Sequence, residues 1–144
     1  MESSDSHSLA YLLRNLSVEV DAKLTDALVP YSLSAAQWRV LSAVATGKAT
    51  SPAEISALQD IDSGSTSRMV RRLELAGLLR REEHPQDRRA VVLCLTETAR
   101  TILPAASEKA ELFYRRIVSG IEAYEIEHLR ALLQRLLNNV RATS

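Results

Sequence analysis

Cysteine is nearly absent from this 144-residue chain, which contains only Cys94. A single thiol excludes a disulfide framework within the chain and a zinc site built from several thiolates. Long apolar runs are also lacking, because none approaches the ~18 residues that a membrane-spanning helix needs. The first residues, Met1–Asp5, lack the basic and apolar regions of a signal peptide. We therefore expect a cytoplasmic protein with no membrane association.

Net charge is lacking as well, because 18 lysines and arginines balance 18 aspartates and glutamates. A neutral total argues, at first sight, against a nucleic-acid-binding protein. The charge is unevenly distributed, however, since Ser63–Arg81 contains five arginines against one glutamate. A neutral total weakens indiscriminate attraction to DNA, whereas this local basic surface leaves specific DNA recognition possible.

Motifs for catalysis and metal binding are missing too. The sequence has no nucleophile–base signature, no glycine-rich phosphate loop and no zinc-protease motif. The three histidines are scattered, and none has ligand spacing with the thiol. The sequence therefore predicts neither an enzyme nor a cofactor or metal site.

Six segments show the apolar spacing of amphipathic helices. They run from Leu9 to before Pro30, from Ser34 to Gly47, from Ser51 past Leu58, from Asp62 to Gly77, from Thr96 towards Gly120, and over Ile126–Val140. Ser34–Gln37 and Ser51–Glu54 both fit the capping-box pattern, so each predicts a helix start. The third and fourth segments, joined by a short polar link, form a helix-turn-helix candidate.

The pattern changes after Gly77. Leu78–Glu83 and Ala90–Leu95 have the composition of strands, and the polar segment His84–Arg89 between them would close a hairpin. A hairpin directly after a helix-turn-helix is typical of a winged helix. We therefore predict a mainly α fold with a small β-hairpin, a winged helix-turn-helix whose terminal helices form a dimerisation base.

The terminal helices carry long leucine stripes. If they pack on a second copy, two recognition helices face DNA with two-fold symmetry, as a pseudo-palindromic operator in double-stranded DNA requires. We predict one domain over residues 1–144. Its winged-helix part spans about 33–95, and its dimerisation helices span about 8–30 and 97–142.

Four motifs follow one another in a fixed order, namely Asp62–Leu73, Ala76–Arg81, His84–Ala90 and Leu95–Glu97. Together they resemble the MarR family of winged-helix transcriptional regulators, and the resemblance extends from about Leu9 to Arg141. It implies a homodimer with a helical base and two wings. It also implies a repressor whose DNA binding is relieved by small phenolic or other aromatic ligands, or by oxidants.

Hydroxyl residues and arginines dominate the predicted recognition helix. The candidate DNA-binding residues there are Ser63, Ser65, Thr66, Ser67, Arg68, Arg71 and Arg72. Small residues let a helix N-terminus approach the phosphates closely, and Arg68 follows early enough to reach a base edge. We expect one hydroxyl residue to cap the helix and at least one other to contact DNA.

The predicted wing contributes Asp87, Arg88 and Arg89. We expect Asp87 to brace Arg89 by limiting its rotamers, so that Arg89 enters a narrow minor groove, where the negative potential is concentrated. Arg88 would contact the DNA backbone next to that groove. The alternative is an exposed ion pair that contributes little.

The resemblance also implies an effector crevice lined by the first, second and fifth helices. The candidate residues are Tyr11, Arg14, Trp38, Arg39 and Tyr114, although Trp38 also fits a core position. Two other functions stay open. One is a winged-helix protein-interaction module without DNA binding, and the other is a redox-sensing regulator that uses Cys94.

Overall fold

The computed structural model describes residues 3–143. Its elements are α1 (Ser3–Ala27), α2 (Ala35–Ala45), α3 (Pro52–Gln59), α4 (Ser63–Leu75), β1 (Leu79–Glu83), β2 (Val91–Leu95), α5 (Glu97–Ile117) and α6 (Ala123–Ala142), and a single 3-10 turn, Val29–Tyr31, separates α1 from α2. This order confirms the predicted mainly α fold with one hairpin. The chain divides into two compact units, Met1–Ala110 and Glu111–Ser144. Met1, Glu2 and Ser144, which the predicted domain includes, lie outside the described residues.

Local capping starts α2 and α3 where the sequence predicts, whereas α1 begins at Ser3, before the predicted Leu9, and α6 at Ala123, before the predicted Ile126. Ser34 Oγ accepts a hydrogen bond from the Gln37 N–H at 3.1 Å, and Gln37 Oε1 accepts one from the Ser34 N–H at 2.9 Å. Ser51 caps α3 by accepting from the Glu54 N–H at 3.1 Å. In a capping box the Glu54 side chain would accept from the N–H of the cap residue, Ser51. Here Glu54 Oε2 accepts from the N–H of the preceding residue, Thr50, at 2.9 Å. Each such cap satisfies backbone donors that the first helical turn leaves without a partner.

Helix α4 is fixed by burial and by a well-defined end. Val70 and Leu73 are fully buried, and α4 packs on α3. At its C-terminus the Leu78 N–H donates to the Leu73 carbonyl at 2.9 Å, and the Gly77 N–H donates to the Glu74 carbonyl at 3.0 Å. This is a Schellman motif, which requires the left-handed backbone that Gly77 adopts at φ +72°. A side chain at position 77 would strain that turn.

The hairpin is antiparallel, with Leu79 opposite Leu95 at its base. The side chains of both, and of Leu93, are buried in the first unit. The Leu93 N–H also donates to the Thr50 carbonyl at 2.7 Å, which joins the hairpin to the segment before α3. Residues 84–90, called the wing tip below, connect the two strands.

Thr96 joins three elements where the hairpin ends. Its hydroxyl donates to the Gly77 carbonyl at 2.6 Å and accepts from the Ala99 N–H at 3.2 Å. Its backbone N–H donates to the Leu78 carbonyl at 3.1 Å. Thr96 therefore caps α5, as predicted, and ties that cap to the end of α4 and the base of the wing.

Besides α4 and the hairpin, the core of the first unit contains residues from the second half of α1 and just after it, the middle of α2 and the first half of α5. Its fully buried members include Leu24, Leu28, Val40, Leu41, Ala99 and Ala106. The first half of α1 is different, because Leu9, Leu12 and Leu16 are 41–62% exposed. Apolar side chains on that half are thus not covered within the unit.

The second unit contains the end of α5 and all of α6. None of the described α6 residues is buried, and its leucine stripe is left uncovered, with Leu129, Leu133 and Leu137 each 37–46% exposed. Among residues 3–143, no helix combines the length and the apolar character needed to cross a membrane.

Candidate nucleic-acid interface

The cap of α4 is Asp62, not one of the hydroxyl residues as the sequence led us to expect. Asp62 Oδ1 accepts from the Ser65 N–H at 2.8 Å, and Oδ2 accepts from the Ser65 hydroxyl at 2.7 Å. These two bonds, the hydroxyl bond first, hold the pKa of the Asp62 carboxyl below its ordinary value of 3.8. The carboxylate is therefore ionised at neutral pH and suits the positive end of the helix.

Thr66 is a second correction. Its side chain is only 1% exposed, so it cannot contact DNA as predicted. Its hydroxyl makes bonds of 3.1 Å to Ser56 Oγ on α3 and 3.0 Å to the Asp62 carbonyl. Thr66 is thus a polar contact between the two helices of the helix-turn-helix, in which a buried hydroxyl is satisfied internally.

The other predicted residues of α4 lie at its surface. Ser63, Ser67, Arg71 and Arg72 are exposed. Arg68 is also exposed, and its Nη2 donates to Ser65 Oγ at 3.1 Å. The structure therefore presents three arginines and two hydroxyl residues along α4, next to the half-buried Ser65.

Carboxylates pair with two of the five arginines in the basic segment. Arg80 pairs with Glu82 along β1, and Arg81 pairs with Glu74 at the end of α4. These pairs lower the local charge of β1, so the basic character of the segment is concentrated on α4.

Sequence reasoning missed the role of His84 in the wing tip. Its Nδ1 accepts from the N–H groups of Gln86 at 3.1 Å and Asp87 at 3.2 Å. Its own backbone N–H donates to the Ala90 carbonyl at 3.2 Å. The sequence did contain a signal for this role. His84 can accept hydrogen bonds, and it precedes Gln86 and Asp87 by two and three residues, the spacing at which Asn and Asp side chains usually bind the N–H groups of a turn.

Asp87 also organises the wing tip, but not as predicted. Its Oδ1 accepts from the backbone N–H of Arg89 at 3.0 Å, and its carbonyl accepts from the Ala90 N–H at 3.1 Å. The carboxylate thus binds the main chain of Arg89 instead of its guanidinium. Asp87 therefore fixes the backbone of the turn and does not restrict the side-chain rotamer of Arg89. Arg88 and Arg89 are both exposed on the shaped turn.

Cys94 lies on the face of β2 opposite the buried Leu93 and Leu95, and it is half-buried. Its thiol donates to Glu82 Oε2 at 3.3 Å. Burial, followed by the hydrogen bond and negative charge of Glu82, raises the pKa of the thiol above 9.0, and these effects outweigh nearby Arg80. A reactive thiol needs the opposite shift, so the environment does not favour redox sensing through Cys94.

Two of the five predicted effector residues share a cavity. Trp38 and Arg39 line an open cavity of about 280 Å³ between α2 and α3, together with Ser42, Lys48 and Leu58. Within the part of the chain that the structure describes, Ser42 Oγ is buried without a hydrogen-bond partner. Sequence analysis did not identify these last three residues, because their proximity depends on how α2 meets α3.

The remaining contacts show how the five candidates are placed. The Trp38 indole N–H donates to Ser107 Oγ on α5 at 3.1 Å, and Arg39 pairs with Asp21 on α1. Tyr11 and Arg14 are exposed on α1 and do not line the cavity. Tyr114 belongs to the second unit, where its ring meets that of Phe113 edge to face, with centroids 5.7 Å apart. Across residues 3–143, no group of three His, Cys, Asp or Glu side chains could hold a metal ion.

Comparison with known proteins agrees with this geometry. Residues 31–90 match the family model described as the MarR family. The HTH-type transcriptional regulator PecS of Dickeya dadantii is 36% identical over 135 residues, which cover 88% of this chain and 81% of PecS.

Two solved structures have a similar fold. A mutant of MarR from Escherichia coli, complexed with operator DNA, superposes with a TM-score of 0.83 at 24% identity, covering 95% of this chain and 99% of that one. BpsR of Bordetella bronchiseptica, solved in connection with regulation of its DNA binding by 6-hydroxynicotinic acid, has a TM-score of 0.75 at 25% identity, covering 94% of both chains.

Proposed function

The chain belongs to the MarR family, and on that premise we propose that it is a homodimeric DNA-binding repressor relieved by a small aromatic ligand. Its fold is the one in which the Escherichia coli MarR mutant was solved with operator DNA. Acting on DNA, the protein would work in the cytoplasm and catalyse no reaction.

The observation that carries the DNA-binding role is the exposure of arginines on two elements that the fold fixes in place. Arg68, Arg71 and Arg72 are exposed on α4, and Arg88 and Arg89 are exposed on the wing tip. A recognition helix and a wing are the two parts of such a domain that reach the grooves of DNA. We assign base contacts to Arg68 and a minor-groove contact to Arg89, while the other three would contact the backbone.

The apolar stripes support the homodimer. The first half of α1 and the whole of α6 leave leucines uncovered within their own units. Contiguous exposed apolar surface marks interaction sites, and a second copy supplies a self-complementary partner with two-fold symmetry. Two copies would present the basic surface twice, which matches a pseudo-palindromic operator.

Salt dependence tests the DNA-binding role. Double-stranded DNA selected from a random library with the wild-type protein is titrated at several salt concentrations, beside a duplex of permuted sequence. We expect selective binding whose affinity falls steeply with salt, because each phosphate contact releases counterions. A protein-interaction module would bind neither duplex selectively, and that result would overturn the proposal.

The cavity between α2 and α3 supports the effector role. Aromatic surface from Trp38 and a cation from Lys48 line it, a combination that suits an aromatic carboxylate. Such a ligand relieves repression only if it prefers a conformation in which DNA binding is impaired.

The effector test titrates 6-hydroxynicotinic acid and benzoate against the complex of protein and selected DNA. We expect at least one of these acids to release DNA from the wild-type protein. Release from Lys48→Ala should require a much higher concentration of the same acid. Lys23→Ala is the matched control, since Lys23 is exposed on α1 outside the cavity. Equal responses of the two lysine variants would place the effector elsewhere.

A further inference from the structure

Three side chains form a continuous hydrogen-bonded relay over the first two turns of α4. The Asp62 carboxylate accepts from the Ser65 hydroxyl at 2.7 Å, and the same hydroxyl oxygen accepts from Arg68 Nη2 at 3.1 Å. A hydroxyl has one proton to donate and lone pairs that accept. Because the Ser65 hydroxyl donates its proton to Asp62, its oxygen can only accept from Arg68. Each donor in the relay therefore points towards Asp62.

Gly64 leaves the space that the relay occupies. A Cβ at position 64 would lie 3.2 Å from Asp62 Oδ1 and 3.4 Å from Arg68 Nη1. The first distance is tight for a carbon, so a side chain there would push the carboxylate back by a few tenths of an ångström, while the second lies at the edge of ordinary contact. The backbone of Gly64 is in an ordinary helical conformation, without the positive φ seen at the other three glycines. The absence of a side chain at position 64 therefore leaves room for the Asp62 carboxylate beside Arg68, and the backbone conformation does not require it.

We propose that Ser65 is a positioning residue, which holds the Arg68 guanidinium at the start of α4 in the conformation that reads a base edge. This inference rests on the proposed function, because it assumes that α4 contacts DNA. It revises the role of Ser65 from a direct DNA contact to a support for one. An arginine that is already held in place loses less conformational freedom when it binds, and a bidentate contact to guanine depends on the orientation of the guanidinium plane.

The opposite role predicts the opposite result. Asp62 and Ser65 could instead compete with DNA for the Arg68 guanidinium. In that case removal of the Ser65 hydroxyl would strengthen DNA binding. If the relay only capped the helix, removal of the hydroxyl would lower stability and weaken all DNA binding equally. Selectivity, measured separately from total affinity, therefore distinguishes positioning from both.

The experiment measures the affinity of full-length Ser65→Ala, Ser65→Thr and wild-type protein for the selected duplex and for the permuted duplex at one salt concentration. We expect Ser65→Ala to bind the selected duplex about two- to tenfold more weakly and the permuted duplex unchanged. Ser65→Thr, which restores the hydroxyl, should recover most of the selectivity. Thr101→Ala is the matched control, because the Thr101 hydroxyl is exposed on α5 and bonds to the Glu97 carbonyl.

A double-mutant cycle completes the test. In an Arg68→Ala background, Ser65→Ala should have no further effect on selectivity, because the group that it positions is gone. The inference is overturned if Ser65→Ala leaves selectivity unchanged, raises affinity, or acts additively with Arg68→Ala while the wild type binds selectively. A wild type that shows no selectivity would instead overturn the proposed function and remove the basis of this inference.

Discussion

Helix α4 and the wing tip both carry exposed arginines, but different forces hold them in place. α4 is anchored by the fully buried Val70 and Leu73 and by the Schellman motif at its end. The wing tip is shaped by polar contacts from His84 Nδ1 and Asp87 Oδ1 to its own main chain. Burial of apolar surface stabilises the whole fold, whereas contacts in an exposed turn act mainly on local geometry. Loss of a buried side chain of α4 should therefore lower the stability of the protein, whereas changes in the tip should weaken DNA binding without lowering stability.

The largest expected effect is the loss of a core side chain of α4. Leu73 is fully buried, so Leu73→Ala should lower the free energy of unfolding by about 2–5 kcal/mol. Leu75 lies two residues on in the same helix and is 77% exposed, so Leu75→Ala should change it by less than about 0.5 kcal/mol. Urea unfolding at one protein concentration measures both. Similar losses for the two variants would contradict the anchoring of α4 by burial.

In the wing, Arg89→Ala should weaken binding to the selected duplex about tenfold, or about 1.4 kcal/mol, because the guanidinium would no longer enter the minor groove. The midpoint of urea unfolding should stay unchanged, since Arg89 is exposed. Gln86→Ala, at another exposed position of the same tip, serves as the control for affinity. Unchanged affinity of Arg89→Ala at fixed salt would remove Arg89 from the interface.

A smaller effect is expected from His84, whose imidazole accepts hydrogen bonds from the main chain of the tip. In His84→Ala the N–H groups of Gln86 and Asp87 lose their acceptor, so those amides should exchange hydrogen faster and affinity for the selected duplex should fall about two- to fivefold. His84→Asn should restore both properties, because asparagine accepts from N–H groups at the same separation. If the alanine and asparagine variants behave alike, the imidazole does not organise the tip.

The cap of α4 should make stability depend on pH in a narrow window. The folded-state pKa of Asp62 is lowered, so its carboxylate stabilises the fold above the ordinary pKa of 3.8, and that contribution is lost as the pH falls through the folded value. Asp62→Asn keeps a capping side chain and removes the charge. The difference in unfolding free energy between wild type and Asp62→Asn should be constant from about pH 5 to 7 and shrink below about pH 3.8. A difference that does not change with pH would contradict this role.

The smallest expected effect concerns Cys94, at the base of the wing. Because the pKa of its thiol is raised, less thiolate is present at about pH 8, and iodoacetamide should modify the folded protein more slowly than the protein in urea. Glu82→Gln, which removes the adjacent charge, should speed the reaction. Peroxide should have the same effect on DNA binding by the wild type and by Cys94→Ser. If peroxide released DNA from the wild type alone, redox sensing through Cys94 would be established.

The parts of the fold that depend on near neighbours could be predicted from the sequence. The box at Ser34 and Gln37 and the cap at Thr96 need only residues three positions apart, so pattern and chemistry suffice. The burial of Thr66 could not be predicted in the same way, because it depends on Ser56 in the preceding helix. The contact between Trp38 and Ser107 spans 69 positions and depends on how α2 packs against α5.

Within the candidate site, residue types were more predictable than roles. Arginines and hydroxyl residues on a short helix indicated a DNA-contacting surface, and most of them are exposed. Their division into cap, support and contact depends on side-chain geometry, as with the Ser65 hydroxyl between Asp62 and Arg68. The acceptor role of His84 was missed because an imidazole here does what an Asn or Asp side chain usually does in a turn.

The first half of α5 is linked by one hydrogen bond to the lining of the cavity between α2 and α3, and by another, at its cap, to the end of α4. At Ser107 it holds the indole of Trp38, which lines the cavity. Eleven residues earlier, the Thr96 hydroxyl at the start of α5 holds the Gly77 carbonyl, where α4 ends and the wing begins. One helix therefore contacts both Trp38 and the end of α4, so we expect a ligand that displaces Trp38 to alter the position of α4. Eleven residues of helix span about 16 Å, and Pro104, which has no backbone N–H to donate, lies between the two contacts, so a shift at Ser107 would reach Thr96 through a helix that can bend at this point.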